Sequence, residues 1–319
     1  MVLPSPALDA GTRATIESAI DCGYRQQYDS AAALVGPLIR SRPTDPSGCY
    51  WQSALVQLLI YDSGNPAFID SFYRLCDSTV AVCNRRLACA PSDTMARFYL
   101  GMTQLNRANL QGWQQKKLVA LRTVMGASGN LKAVARMAPG DADFAFGVGM
   151  FEYFQSYLGK LLTGRRDQAA GAYAHVRRAA SSGRLCRLSA EFSLAWMLGE
   201  DGMRDSAVAH CRALLTRYPG NRSALRLLRD NLFAGGRCRE AVATGVELER
   251  SIRASYPQNR YGLAENWLKM SLAYEKLGRK DSALVLARRI VLWEPYAART
   301  PWLSNYVKEA KAIRQRLGS

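Results

Sequence analysis

From Ala264 the chain reads AENWLKMSLAYEKLGRKDSALVLARRIVLWEP, with large residues at Trp267, Met270 and Tyr274, three and four apart. That spacing sets them on one stripe of a first helix, and KDSALVLARRIV carries a second stripe through Ala283, Ala287 and Ile290. Between them Gly278 permits a tight turn and Asp281 is placed to cap the second helix. Ala283 is small enough for the two helices to come close, and Pro295 ends the unit because it cannot continue a hydrogen-bond ladder. The pattern recurs. YDSAAALVGPLI from Tyr28, RDSAVAHCRALL from Arg204 and KDSALVLARRIV from Lys280 share Asp-Ser-Ala, and twelve residues after each alanine (Ala31, Ala207, Ala283) stands a proline (Pro43, Pro219, Pro295). A helix pair written repeatedly along one chain predicts a repeat architecture.

Two further copies fill the space before Ala264. The one from Arg222 carries Leu225, Leu228, Leu232, Gly236, Ala241 and Leu248 and lacks the closing proline, so its second helix should run on through Ser255. The one from Leu188 carries Leu194, Ala195, Leu198, Gly202, Ala207, Cys211, Leu214 and Pro219. Place for place these units resemble the 34-residue tetratricopeptide repeat. The resemblance implies an all-α fold, a right-handed superhelix (α-solenoid) of about six such helical hairpins with a C-terminal capping helix. Residues 188–297 hold three clear units, residues 12–187 hold degenerate hairpins, and PWLSNYVKEAKAIRQRLGS (301–319) is the cap of a single solenoid over residues 1–319.

The N-terminal half follows the plan loosely. A first unit starts at Thr12, an insertion around Ser-Gly-Asn-Pro follows the helix near CYWQSALVQLLIY, and Gly126 with Gly129 predicts a kink or break in the helix after Trp113. The succession of Tyr-Leu-Gly (Tyr99–Gly101), Trp113 to Lys117 and GVGMFEYF from Gly147 is similar to a group of bacterial repeat proteins, many of them exported.

Composition narrows the class of function. With 48% hydrophobic residues over 319 positions the chain can bury a large core, and its nearest approach to a membrane span, FGVGMFEYFQSYLGKLLTG, is interrupted by Glu152 and Lys160. The first residues, MVLPSPALDAGTR, lack the basic and apolar regions of a signal peptide. The net charge of +17 is concentrated: no acid occurs between Asp93 and Asp141, and residues 94–190 hold fourteen bases against four acids. The candidate basic patch is Arg107, Lys116, Lys117, Arg122, Lys132, Arg136, Arg177 and Arg178, with Lys160, Arg165 and Arg166 in the same stretch. It offers an alternative function, binding of nucleic acid or an anionic surface through residues 97–187, although little aromatic interleaving accompanies the Lys116 to Arg136 run beyond Trp113.

Catalytic and metal chemistry find little support. Cys76 and Cys83 are two helical turns apart, roughly 10 Å and beyond disulfide reach, no Cys-x-x-Cys occurs, and His175 and His210 stand in no ligand spacing. Cys22 and Cys211 occupy places where the repeat wants a small buried residue, and His210 beside Cys211 points about 100 degrees away around a helix. The glycines of FGVGM lack the third glycine and strand of a dinucleotide loop, and Gly149 suits the small place of a first helix. Short-spaced acids such as Asp141 and Asp143, or Glu200 and Asp201, read as helix caps. No enzyme class, cofactor or metal is indicated.

What remains is a surface. The resemblance implies that first helices line a concave groove, whose candidates here are Phe192 and Trp196, then Arg226, Asp230 and Phe233, then Lys269, Leu272 and Lys276. The family's clamp for a C-terminal carboxylate needs Lys and Asn where Phe192 and Trp196 stand, which disfavours that ligand. The expected function is a non-enzymatic protein-protein interaction scaffold whose partner is another protein, the basic stretch favouring an acidic one. Self-association through an imperfectly capped end is a further possibility. Free thiols suit the cytoplasm and the likeness to exported proteins suits a bacterial envelope, so the compartment stays open.

Overall fold

The computed structural model describes residues 8–163, 169–297 and 301–318. Among them every regular element is helical, and no helix is long and apolar enough to cross a membrane. The chain divides into two compact units, Met1–Leu59 with Pro66–Leu194, and Ile60–Asn65 with Ala195–Ser319.

The first unit holds α1 (Ala10–Tyr24), α2 (Tyr28–Ser41), most of α3 (Pro46–Ser63), α4 (Ile69–Cys89), α5 (Thr94–Trp113), α6 (Lys117–Met137), α7 (Ala142–Thr163), α8 (Ala169–Ser182) and the start of α9 (Arg187–Glu200). The second holds the rest of α9, α10 (Arg204–Arg217), α11 (Arg222–Ala234), α12 (Cys238–Ser255), α13 (Arg260–Lys276), α14 (Lys280–Val291), the single turn α15 (Glu294–Ala297) and α16 (Pro301–Leu317). Two at a time, α1 to α14 make seven pairs where about six were expected, and the 3-10 turn at Pro66–Phe68 lies between α3 and α4 where the sequence placed an insertion. The α16 cap buries Leu303, Val307, Ala310 and Ile313 against α13 and α14, leaving a polar outer face.

One turn joins the pairs. Gly202, Gly236 and Gly278 stand at φ 80°, 78° and 73°, each two residues before its second helix. In each, the following amide donates to a carbonyl five residues back, as Arg279 N does to Tyr274 O at 2.9 Å. Gln26 (φ 65°) and Gln115 (φ 64°) fill the same place in the α1/α2 and α5/α6 turns, with Gln27 N to Cys22 O and Lys116 N to Gln111 O both 2.9 Å. A side chain in this left-handed region costs about 1–2 kcal/mol. The close approach after the turn depends on small residues, and Ala31, Ala207 and Ala283 are fully buried. A Cβ on Gly149 would come within 2.8 Å of Val176 and 2.9 Å of the Ala172 carbonyl, so α8 seats directly on the α7 backbone as its place in the repeat predicts.

Two expectations are corrected. The aspartate of Asp-Ser-Ala does not cap the second helix: α2, α10 and α14 are preceded by Gln27, Met203 and Arg279, none making a side-chain capping bond, and Asp29, Asp205 and Asp281 lie inside the first turn. The left-handed turn fixes the chain before the helix starts, leaving the aspartate to complement the helix dipole. Side-chain caps belong to the first helices, where Asp9, Asp93, Asn221 and Asn259 accept the amides of Thr12, Ala96, Ala224 and Gly262. Nor do Gly126 and Gly129 break the chain, since α6 is continuous over 21 residues and packs along α5. Each glycine nonetheless costs roughly 1 kcal/mol of helix propensity relative to alanine. Cys211 is buried as expected, whereas Cys22 is only half-buried.

Between consecutive first helices the two units differ. In the first, Tyr50 on α3 meets Tyr99 on α5 at 4.8 Å, and Phe98 on α5 meets Phe144 on α7 at 4.9 Å. The corresponding space between α11 and α13 holds charged side chains.

Candidate functional site

The ionic layer of the second unit is built from two stripes. On α11, Arg226, Arg229 and Asp230 project toward α13, which answers with Glu265, Asn266 and Lys269. Arg229 is 1% exposed, and its Nε donates to Asp230 Oδ1 (2.9 Å), its Nη1 to Asn266 Oδ1 (2.9 Å) and its Nη2 to Glu265 Oε1. Asn266 is held in turn by Nδ2 donating to the Gly245 carbonyl at 2.8 Å. Arg226 Nε lies 3.3 Å from Glu265 Oε2, while its Nη2 is buried without a hydrogen-bond partner. One turn further along, Lys276 Nζ stands 4.4 Å from the centre of the Phe233 ring.

Electrostatics follow from this crowding. Burial pushes the Glu265 carboxyl up, and Arg229 and Arg226 outweigh it, leaving it below the ordinary glutamate range. Burial lowers the Arg229 guanidinium, but Asp230 and Glu265 more than compensate and hold it charged. Tyr306 of α16, whose hydroxyl donates to Tyr261 at 3.3 Å, is raised by burial, by Tyr261 and by the nearby Glu265 charge. The cap is thus tied to α13 through Tyr306 and Tyr261, close enough to the ionic layer to feel its charges.

A second buried pair lies in the same unit. Arg222, 2% exposed, forms a two-point pair with Asp62 (Nε to Oδ1 2.7 Å, Nη2 to Oδ2 2.5 Å), and its Nη1 donates to Ser255 Oγ at 2.9 Å. Asn259 Nδ2 donates to the Asp62 carbonyl at 3.0 Å, so the end of α3 is held by two residues more than 150 positions away.

Of the eight groove candidates, Arg226, Asp230, Phe233, Lys269, Leu272 and Lys276 lie on α11 and α13, and all except exposed Lys276 are half-buried. Trp196 is half-buried on α9 in the second unit. Phe192 belongs to the first unit, where its ring stacks on Tyr24 at 4.8 Å. Sequence reasoning missed Arg229, Asn266, Arg222 and Asp62. A signal was present for Arg229, which stands where the neighbouring units have Ala195 and Ser271.

The basic candidates are spread over α5, α6 and α8. Arg107 pairs with Asp77 at 2.7 Å, Arg177 lies 5.4 Å from the Tyr173 ring, and Arg178 donates to the carbonyls of Pro139 and Gly140. Lys116 precedes α6, and Lys117, Arg122, Lys132 and Arg136 run exposed along it. Arg165 and Arg166 lie outside the described residues.

Burial pushes the thiols of Cys76, Cys83 and Cys211 up to about 12, away from thiolate reactivity. His210 is exposed beside buried Cys211. Gly147 and Gly149 lie inside α7, and among the described residues no cluster could hold a metal ion.

This is a tetratricopeptide-repeat-like fold, an all-α solenoid of helical hairpins closed by a capping helix. The chain is similar to the structure of a Rap protein complexed with competence and sporulation factor (TM-score 0.57, 14% identity, 96% of this chain and 81% of that one). It is similar also to PilW, a widely conserved type IV pilus biogenesis factor (TM-score 0.53, 14% identity, 80% and 98%). A third likeness is to the Cut9-Hcn1 hetero-tetramer of the APC/C (TM-score 0.55, 13% identity, 91% and 50%). No family model and no curated protein sequence matches the chain.

Proposed function

We propose that the protein is a non-enzymatic interaction scaffold that takes a segment of a partner protein along the α11/α13 face of its second unit. The observation that carries this is Arg226, whose buried Nη2 has no partner beside half-buried Lys269 and the Phe233–Lys276 pair. A buried donor without an acceptor costs about 1–3 kcal/mol, which a carboxylate or carbonyl on a bound segment would recover. Phe233 supplies the apolar contact, and Arg226, Lys269 and Lys276 favour acidic residues beside it. The reading is supported by two proteins of similar fold, the Rap protein complexed with competence and sporulation factor and Cut9 assembled with Hcn1. The interaction module in this reading is residues 188–297 with the cap.

A photo-crosslinker placed at Leu272 in the native host tests it. A discrete protein should be captured at high salt and lost in the Phe233→Ala/Lys276→Ala double variant. Recovery unchanged by that variant would sink the groove assignment.

A further inference from the structure

The outer face of α6 is not used by the groove and is not required by the packing of its own unit. Leu118 is 83% exposed and Met125 67% exposed, two turns apart on one line, with Val119 and Met137 also exposed beside it. Arg122, Lys132 and Arg136 flank that line and Lys117 stands at its start, in a stretch with no acid from residue 94 to residue 140. Among the described residues none of these four cations pairs with a carboxylate; Lys132 rests 5.9 Å from the Phe151 ring, and Arg136 Nε donates to the Lys132 carbonyl at 3.3 Å. The exposed positions 118, 122, 125, 129, 132 and 136 alternate four and three apart, the seam along which a second helix follows a first.

We infer that this face is a docking site for an acidic amphipathic helix of a partner protein. Leu118 and Met125 supply the apolar contact and the four unpaired cations select carboxylates on either side, since exposed like-signed charge around an apolar line is complementary to the opposite pattern. A helix is favoured over a lipid surface by the relief of the face. Gly129 leaves a notch between Met125 and Lys132, and a Cβ on it would meet nothing in this protein, so the fold itself gives no reason for glycine there. A bilayer needs no such notch, whereas a second helix backbone can settle into one. This face is separate from the groove, and the substitutions that test it leave α11 and α13 untouched.

The test uses the full chain and a fluorescein-labelled amphipathic helical peptide of alternating Leu/Ala seam and Glu flanks, with the same peptide carrying Lys for Glu as control. Vesicles of phosphatidylcholine with phosphatidylserine form the third arm. Anisotropy should show saturable binding of the acidic peptide alone, weakened about tenfold by Arg122→Glu or Met125→Glu, where a charged pair or the apolar anchor is lost. Gly129→Leu is the discriminating variant: it should raise the thermal midpoint, because leucine is the better helix former, and still weaken peptide binding about tenfold by filling the notch. Equal binding of both peptides, or wild-type affinity in Gly129→Leu, would overturn the inference. So would vesicle sedimentation lost in Met125→Glu with no binding of the acidic peptide, which would make the face a lipid contact.

Discussion

The two units put different chemistry into the same structural layer. Where first helices of consecutive pairs meet, the first unit places Tyr50 on Tyr99 and Phe98 on Phe144, while the second places Arg226 and Arg229 on Glu265 and Asn266. The apolar burial that dominates an aromatic contact is non-directional and tolerates small displacements, with ring geometry adding only about 0.5–1.5 kcal/mol. Buried ion pairs are worth little net against an apolar alternative, yet breaking one leaves a stranded charge, so they fix geometry more than they add stability. One repeat scaffold thus fills the layer between its first helices with aromatic rings in one unit and with paired charges in the other.

The largest effect expected from breaking the contrast is in the second unit. Arg222→Ala should cost about 3–5 kcal/mol in urea unfolding, because Asp62 would stay buried without its partner, while Arg222→Met combined with Asp62→Leu should recover most of the loss. A single variant no worse than the double would refute the stranded-charge account. In the first unit Phe98→Ala should cost about 3–5 kcal/mol, and a second large-to-small change should add no salt dependence. A loss that changes between low and high salt would mean that this layer is not apolar in its energetics.

A smaller effect sharpens the turn geometry that the units share. Gln115→Gly should raise stability by about 0.5–1 kcal/mol, the left-handed strain relieved exceeding the entropy lost, and Gln26→Gly should do the same. Destabilisation by either would place their φ outside the left-handed region.

The smallest effect concerns the cap. Glu275 is lowered from 4.5 by its two hydrogen bonds from Arg316, both 2.7 Å, and by that guanidinium's charge. Its folded value lies below its unfolded one, so the tie is fully present above about 4.5 and is lost as pH falls through the lower value. Amide exchange in α16 should therefore quicken below that pH, and Glu275→Gln should show the fast exchange already at neutral pH.

Much of this was legible in the chain. The stripe at Trp267, Met270 and Tyr274, the small Ala283 and the turn glycine Gly278 are local consequences of a 3.6-residue period and of sterics, and all appear as read. The role of Asp281 was misread because a helix start can be set by the preceding turn, and composition does not distinguish a capping aspartate from one a residue or two inside. The ionic layer is more instructive. The repeat resemblance put Arg226, Phe233 and Lys276 at corresponding places of two first helices, but Arg229 could not be seen as buried, since only the arrival of Asp230, Glu265 and Asn266 makes a charge tolerable there.

The sequence by itself determined the repeat, its helix faces, its turns and the uneven charge, because each depends on residues within one or two turns of one another. Tertiary structure alone decided that Asp62 meets Arg222 across 160 positions, that Tyr306 of the cap meets Tyr261, and that α6 keeps Leu118 and Met125 in solvent. Those depend on which distant surfaces meet, and desolvation, which acts only once they have met, sets whether a charge is paired, stranded or free.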